Sequence, residues 1–284
     1  MAKYHKPLAD GVTKTLHIFL YFWLLLPYLV LAQADVPYGA RAAAMGNASV
    51  TIPDVWALNN NIAGIANLEL PQLGVYAENS FGVRAFTTVA LQAVYPTSKY
   101  GNYGLSLSRF GDELYSQQHV GLGVGHKLGQ FSLGAKVDVW QVSVRGYGSR
   151  KAVTLSVGGQ AEITPGLYFG AYAYNLNQAK LSSFEDERLP TIMKAGLSYQ
   201  PYQKLLLAIE TEKHIEHPAA LKAGIEYQLL SEKLAVRSGF NTTTNRATFG
   251  AGFQARQLQV DYAFGSTTLL GTSHHVAVSY RFLP

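Results

Sequence analysis

From about Leu70 to its C-terminus the chain alternates apolar and polar residues in stretches separated by turn signals. A period of two places alternate side chains on opposite faces of a strand. Leu221, Ala223, Ile225, Tyr227 and Leu229 share one face, opposite Lys222, Gly224, Glu226 and Gln228. Phe131, Leu133, Ala135, Val137 and Val139 oppose Ser132, Gly134, Lys136 and Asp138 in the same way. Leu258, Val260, Tyr262 and Phe264 oppose Gln259, Asp261 and Ala263, and Val276, Val278, Tyr280 and Phe282 oppose Ala277, Ser279 and Arg281. Strands are predicted at 70–79, 85–95, 101–110, 117–127, 130–142, 151–163, 166–177, 190–200, 203–212, 218–229, 232–241, 245–256, 257–265 and 272–283.

The connections alternate too. Short turns at Leu128-Gly129, Thr164-Pro165-Gly166, Pro201-Tyr202, Leu230-Ser231 and Arg256-Gln257 are interleaved with longer polar links, as at Ser143 to Arg150 and Gln178 to Leu189. Short turns on one side and longer loops on the other describe a transmembrane barrel, as does an even strand number of about fourteen. A strand crossing the hydrocarbon needs about 9–11 residues, and soluble strands average about 5–6. The expected fold is an all-β, transmembrane antiparallel β-barrel, with a soluble β-sandwich as the competing architecture. Tyr95, Tyr100, Tyr103, Tyr168, Tyr199, Tyr202 and Tyr280 lie near strand ends, where interfacial girdles form.

Composition sharpens this picture. Only 14% of residues are charged, against roughly 25% in an ordinary soluble chain, while 12% are aromatic. With no cysteine there is no disulfide framework, thiolate metal site or cysteine nucleophile. The net charge of +5 is small and forms no basic stripe, so nucleic acid is not an expected partner.

Residues 1–34 read as a signal peptide. Lys3, Lys6 and Lys14 precede an apolar run from Leu16 to Leu31, and Ala32-Gln33-Ala34 supplies small residues for cleavage after Ala32 or Ala34. An uncleaved anchor is the alternative, since the run approaches spanning length. Export places the barrel in the cell outer membrane, in contact with its lipid. Residues 35–69 lack the alternation. Pro53-Asp54-Val55-Trp56-Ala57-Leu58 opens like a helix, and Asn59, Asn60, Asn61 and Gly64 follow. This segment is expected to be a compact helical hatch packing Trp56, Leu58 and Ile65 inside the barrel, with an irregular periplasmic tail as the plainer alternative. The barrel proper is 70–284.

Few residues suggest chemistry. Gly121, Gly123 and Gly125 share one strand face with no helix after them, which points to room for a neighbour rather than to nucleotide. His214 and His217 around Glu216, and the pair His274-His275, read as solvated surface histidines. Glu185-Asp186-Glu187 lacks the ligand spacing of a calcium loop. His119 and His126 are candidate bases by residue type alone, without a motif, so no enzyme and no cofactor is expected. The inward register collects Lys136, Asp138, Lys194, Glu210, Lys222, Glu226, Arg237, Asp261 and Arg281. Both signs are present, as in a paired, hydrated lumen.

Gly39-Ala40-Arg41-Ala42, Met45-Gly46-Asn47-Ala48 and Trp56 to Asn67, with Val260 to Phe264 and the ending Ser279-Tyr280-Arg281-Phe282, resemble FadL-like outer-membrane barrels. Within these, the PorV/PorQ group of Bacteroidetes-type bacteria is most similar, although Ile62 stands where that group often has proline. The resemblance implies a barrel of about fourteen strands, an N-terminal hatch, and a C-terminal assembly signal at Tyr280 and Phe282. It also implies an accessory role in a type IX-like protein secretion and surface-attachment system. Other secretion-system proteins or exported cargo would then be partners, held by loop aromatics such as Tyr115, Tyr147 and Phe184. The alternative it carries is a FadL-like channel for hydrophobic small molecules, with Leu114, Tyr115, Leu269 and Leu270 near the mouth.

Overall fold

The computed structural model describes residues 38–97, 99–181, 189–243, 246–267 and 271–283. The expected signal peptide, Phe184, the acidic cluster 185–187 and Leu269-Leu270 lie outside the described residues. Fourteen strands form the wall: β1 (Gln72–Asn79), β2 (Thr87–Thr97), β3 (Gly101–Gly111), β4 (Tyr115–Leu128), β5 (Phe131–Val144), β6 (Gly148–Thr164) and β7 (Leu167–Tyr174). They continue as β8 (Ile192–Tyr202), β9 (Leu205–His214), β10 (Ala220–Leu229), β11 (Leu234–Asn241), β12 (Arg246–Ala255), β13 (Leu258–Thr267) and β14 (Gly271–Arg281). Every strand pairs antiparallel with its sequence neighbours, and β1 pairs with β14 from Gln72↔Arg281 to Asn79↔His274. Closure leaves no edge with unpaired backbone groups, the condition for a strand structure in lipid.

The alternation becomes two surfaces. On β10 the side chains of Leu221, Ile225 and Tyr227 are exposed while those of Lys222 and Glu226 are buried. Large apolar residues thus face outward all round the barrel, which is the reverse of a soluble sandwich and rules that architecture out. Among the described residues no helix is long and apolar enough to cross a membrane.

Strand boundaries differ from expectation by up to three residues, and three of the differences matter here. β6 begins at Gly148 because the ladder with β5 continues to Val144↔Gly148, leaving a three-residue turn (145–147) in place of the longer link. Gly146 and Gly148 hold the positive φ of that turn. β7 ends early, at Tyr174, and β9 runs on to His214. The outward tyrosines Tyr95, Tyr103, Tyr199, Tyr202 and Tyr280 gather at the end carrying the shorter turns and the end of β14, whereas Tyr168 turns inward toward the lumen and does not belong to that girdle.

Residues 38–70 lie inside the wall. They contain α1 (Ala40–Ala44), α2 (Ala57–Asn60) and a 3-10 helix, Ile62–Asn67. α1 packs on β11–β14 and the 3-10 helix on β3–β6. Alanines keep α1 thin, and Gly46 turns the chain with φ 64° where an added Cβ would sit 2.6 Å from the Phe240 backbone. The wall is carved to match. A Cβ at Gly74 would meet the Trp56 ring at 2.9 Å, one at Gly123 the Ile62 side chain at 2.6 Å, one at Gly134 the Ile62 backbone at 2.8 Å, and one at Gly224 the Met45 backbone at 2.6 Å. The glycines of β4 are therefore room for a neighbour: this segment at Gly123 and Gly125, and the Lys136 and Asp138 side chains of β5 at Gly121. Ile62, wholly buried, starts the 3-10 turn while Asn61 accepts from Ala63 N at 3.2 Å; at a first helical position a proline would lose nothing.

At the C-terminus Phe282 N donates to Pro71 O at 2.9 Å, and the Tyr280 and Phe282 rings meet edge to face at 4.9 Å on the outer surface. Deleting 282–284 removes this last clasp on the closing strand pair and half of the aromatic pair. The heat-modifiable, SDS-resistant fraction on unboiled gels should fall several-fold; undiminished assembly would make the terminal aromatic incidental.

Candidate functional site

The inward charges assemble into three clusters, each holding a part of the internal segment. In the first, Arg41 of α1 makes a two-pronged bond to Glu226, with Nε donating to Oε2 at 2.8 Å and Nη2 to Oε1 at 2.6 Å. Arg237 donates to the same carboxylate and, through Nη1, to Asp261 at 2.7 Å. Such forked guanidinium–carboxylate pairs are the strongest side-chain hydrogen bonds available to a buried anchor. Asp54 lies 3.9 Å from Arg41. Burial pushes its carboxyl up to about 6 despite that cation, so its contribution to seating is full below the ordinary 3.8 and is lost as pH rises through about 6.

In the second cluster Lys222 bridges Glu212 at 2.6 Å and Glu210 at 3.4 Å, and Lys194 meets Glu212 at 3.1 Å. Glu210 also accepts the backbone N–H groups of Ser49 and Val50, both at 2.8 Å, so a wall carboxylate caps a bend of the internal chain. The third cluster joins Lys136 and Asp138 at 2.7 Å, with Lys136 also donating to Asn59 and His119 bonded to Asp138. His119 Nδ1 and Ser108 Oγ are 3.1 Å apart, and the Ser108 and Tyr38 hydroxyls 3.0 Å. Serine, histidine and aspartate in this order can activate a nucleophile. Here Lys136 shares the Asp138 oxygen with His119, and Tyr38 occupies the serine, so the chain of bonds ties Tyr38 and Asn59 to the wall.

The other hatch candidates are fasteners inside the segment. Asn60 bonds Tyr38 on both backbone sides, at 3.1 and 2.9 Å. Asn61, fully buried, donates to Val50 O at 2.7 Å and to Gly159 O of the wall at 3.1 Å. Trp56 packs under Gly39 and against Tyr76, and Gly64 leaves space beside Ala57. Arg281 is half-buried and lines a cavity of about 360 Å³ with Arg41, Asp54, Gln228, Gln254 and Gln259 at the end carrying the shorter turns. Of the cluster members, Glu212, Tyr38 and Ser108 are not among the sequence candidates; Glu212 shares the parity of Glu210 within the expected strand 203–212, so parity alone could have found it.

Two of the four histidines expected on the surface are not there. His214 is buried beside Glu212 at 3.2 Å, and His275 is buried with Nδ1 2.8 Å from the Tyr76 hydroxyl. His214 lies beyond the expected strand end at 212 because β9 runs on to it, whereas His275 lies within the expected strand 272–283, on its inward face. His274, outward, bonds Tyr262 at 2.7 Å, and His217 stacks edgewise on His214. Among the described residues no group of three His, Asp or Glu could hold a metal ion.

Above the internal segment, toward the longer loops, the inner wall is aromatic. At the mouth Phe86 stacks on Phe110 (6.4 Å), which meets Tyr115 edge on (6.4 Å), and Phe81 closes on Phe86 (6.5 Å). Below them Tyr38 is ringed by Tyr76 and His119, His119 stacks on Trp140 at 4.5 Å, and Trp140 meets Tyr174. Phe110, Trp140 and Tyr174 remain partly exposed on inward-facing positions, so aromatic faces line the approach to Tyr38.

No protein-family model matches the sequence, and no curated protein does. Solved structures match in shape. The toluene transporter TbuX of Ralstonia pickettii superposes with a TM-score of 0.68 at 13% identity, covering 87% of this chain and 98% of that one. The toluene transporter TodX of P. putida gives 0.63 at 14% identity, over 87% and 99%. A Pseudomonas aeruginosa FadL homologue gives 0.60 at 13% identity, over 86% and 98%. The chain therefore has the fold of FadL-like outer-membrane barrels: a closed wall of fourteen antiparallel strands.

Proposed function

We propose that this protein is an outer-membrane channel for small hydrophobic molecules, with residues 38–70 as its plug and the aromatic inner wall above Tyr38 as its receiving site. The observation carrying the reading is that wall: Phe86, Phe110 and Tyr115 at the mouth lead inward to Trp140, Tyr174 and Tyr38. An apolar solute leaving water gains about 25 cal/mol for each Å² buried, and stacked rings offer that area without a charge. Shape likeness to barrels described as toluene transporters supports the same class of solute. The alternative, an accessory of type IX-like secretion with exported proteins as partners, rests on the N-terminal resemblance and has no counterpart among those barrels, so it ranks second.

A host lacking the gene should take up small hydrocarbons such as toluene more slowly and recover with the wild-type gene. Phe110→Ala with Tyr115→Ala should restore several-fold less while the barrel still assembles. Normal uptake with surface proteins trapped in the periplasm would favour secretion, and normal results in both assays would overturn both readings.

A further inference from the structure

Four neighbouring strands end their outward apolar belt on one register row. Leu107↔Val120, Val120↔Val139 and Val139↔Val153 are paired, exposed and apolar, and the pairs one step inward along each strand, Leu105↔Leu122 and Val137↔Leu155, are too. One step toward the longer loops the row becomes Arg109↔Gln118, Gln118↔Gln141 and Gln141↔Lys151. The next row out is Gly111, Ser116, Ser143 and Ser149. A hydrogen-bonding strip with a cation at each end thus borders the hydrocarbon, and no carboxylate stands on it or on the rows beside it. Among the described residues neither Arg109 nor Lys151 makes an ion pair, in contrast to Arg145, which meets Glu113 at 3.8 Å.

We propose that this strip binds a bis-phosphorylated glycolipid of the outer leaflet, Arg109 and Lys151 taking one phosphate each and Gln118 and Gln141 the sugar hydroxyls between. The inference rests on the outer-membrane placement and is independent of which solute crosses. Three strand spacings of about 4.8 Å separate the two cations by about 14 Å along the row, too far for one phosphate and fit for a headgroup with two. Strand tilt makes the row slope: traced the other way it passes Val89 and Ala77 and reaches Val236 near the shorter turns, so Arg109 is the deeper end. Its long stem lets the guanidinium rise along the belt to headgroup level, and a planar guanidinium suits phosphate. The acyl chains then lie on the rows of Leu and Val beneath.

The test uses the purified full barrel in detergent, with native mass spectrometry reading the lipid it retains. The probes are a bis-phosphorylated glycolipid, its dephosphorylated form, and phosphatidylglycerol. Wild type should retain the first in preference to both others, less so in high salt, which screens exposed charge. Arg109→Ala with Lys151→Ala should lower retention about tenfold while keeping the heat-modifiable gel shift, and Arg109→Lys with Lys151→Arg should keep most of it. Arg145→Ala should leave it unchanged. Equal retention by the double alanine variant, or of the dephosphorylated form, would overturn the proposal. Phosphatidylglycerol retained as tightly would overturn its two-phosphate form.

Discussion

A barrel lacking residues 38–67 should still insert and still migrate differently before and after boiling, yet conduct ions in planar bilayers at least about tenfold better than the full chain. The wall alone closes through β1 and β14, and its outward apolar belt does not involve the deleted residues. What the deletion uncovers is a lumen lined by lysine, arginine and carboxylate side chains facing glycines that the segment had filled. Water fills a polar lumen of this kind, and ions follow it. Unchanged conductance would mean that the full-length barrel is already open past the segment, and the plug assignment would fall.

Glu226→Ala should have the second largest effect. Its carboxylate is 97% shielded in the side chain and receives both Arg41 and Arg237. Removing it leaves two guanidinium groups facing each other with Asp54 and Asp261 as remaining anions. Breaking a buried pair by deleting one partner costs about 3–5 kcal/mol, because the surviving charge stays desolvated. Arg41 belongs to the internal segment and Glu226 to the wall, so the loss falls on their mutual docking. The variant should show protease cleavage near Arg41 and intermittent conductance in a barrel that remains heat-modifiable. Glu226→Gln keeps two acceptor or donor positions and should fall between. A variant as silent and protected as wild type would show that the glycine-fitted packing holds the segment without this cluster.

Much of the wall was legible because its rule is local. A strand in lipid needs one apolar face of fixed length, and period two writes that face into consecutive residues, as in Leu221 to Leu229 or Phe131 to Val139. The same parity placed Lys136, Asp138, Glu210, Lys222, Glu226, Arg237 and Asp261 on the inner surface, where each is buried. Strand ends were less legible: β6 and β9 continue past their turn signals because pairing with a neighbour stabilises residues whose own preferences are weak. That is why His214 read as loop and is buried beside Glu212.

The interior was decided by tertiary structure. Nothing in Gly134 or Gly224 names Ile62 or Met45 as the atoms that fill them, since each pair is brought together only when the sheet closes. The relay from Tyr38 through Ser108, His119 and Asp138 to Lys136 spans three wall strands and the internal segment, with no motif joining them along the chain. The sequence by itself determined the membrane-facing surface, because lipid imposes the same demand on every strand. Which inward charges pair, and what they hold, depended on barrel closure, because an ion pair forms where two side chains meet in space and parity alone does not specify the partner.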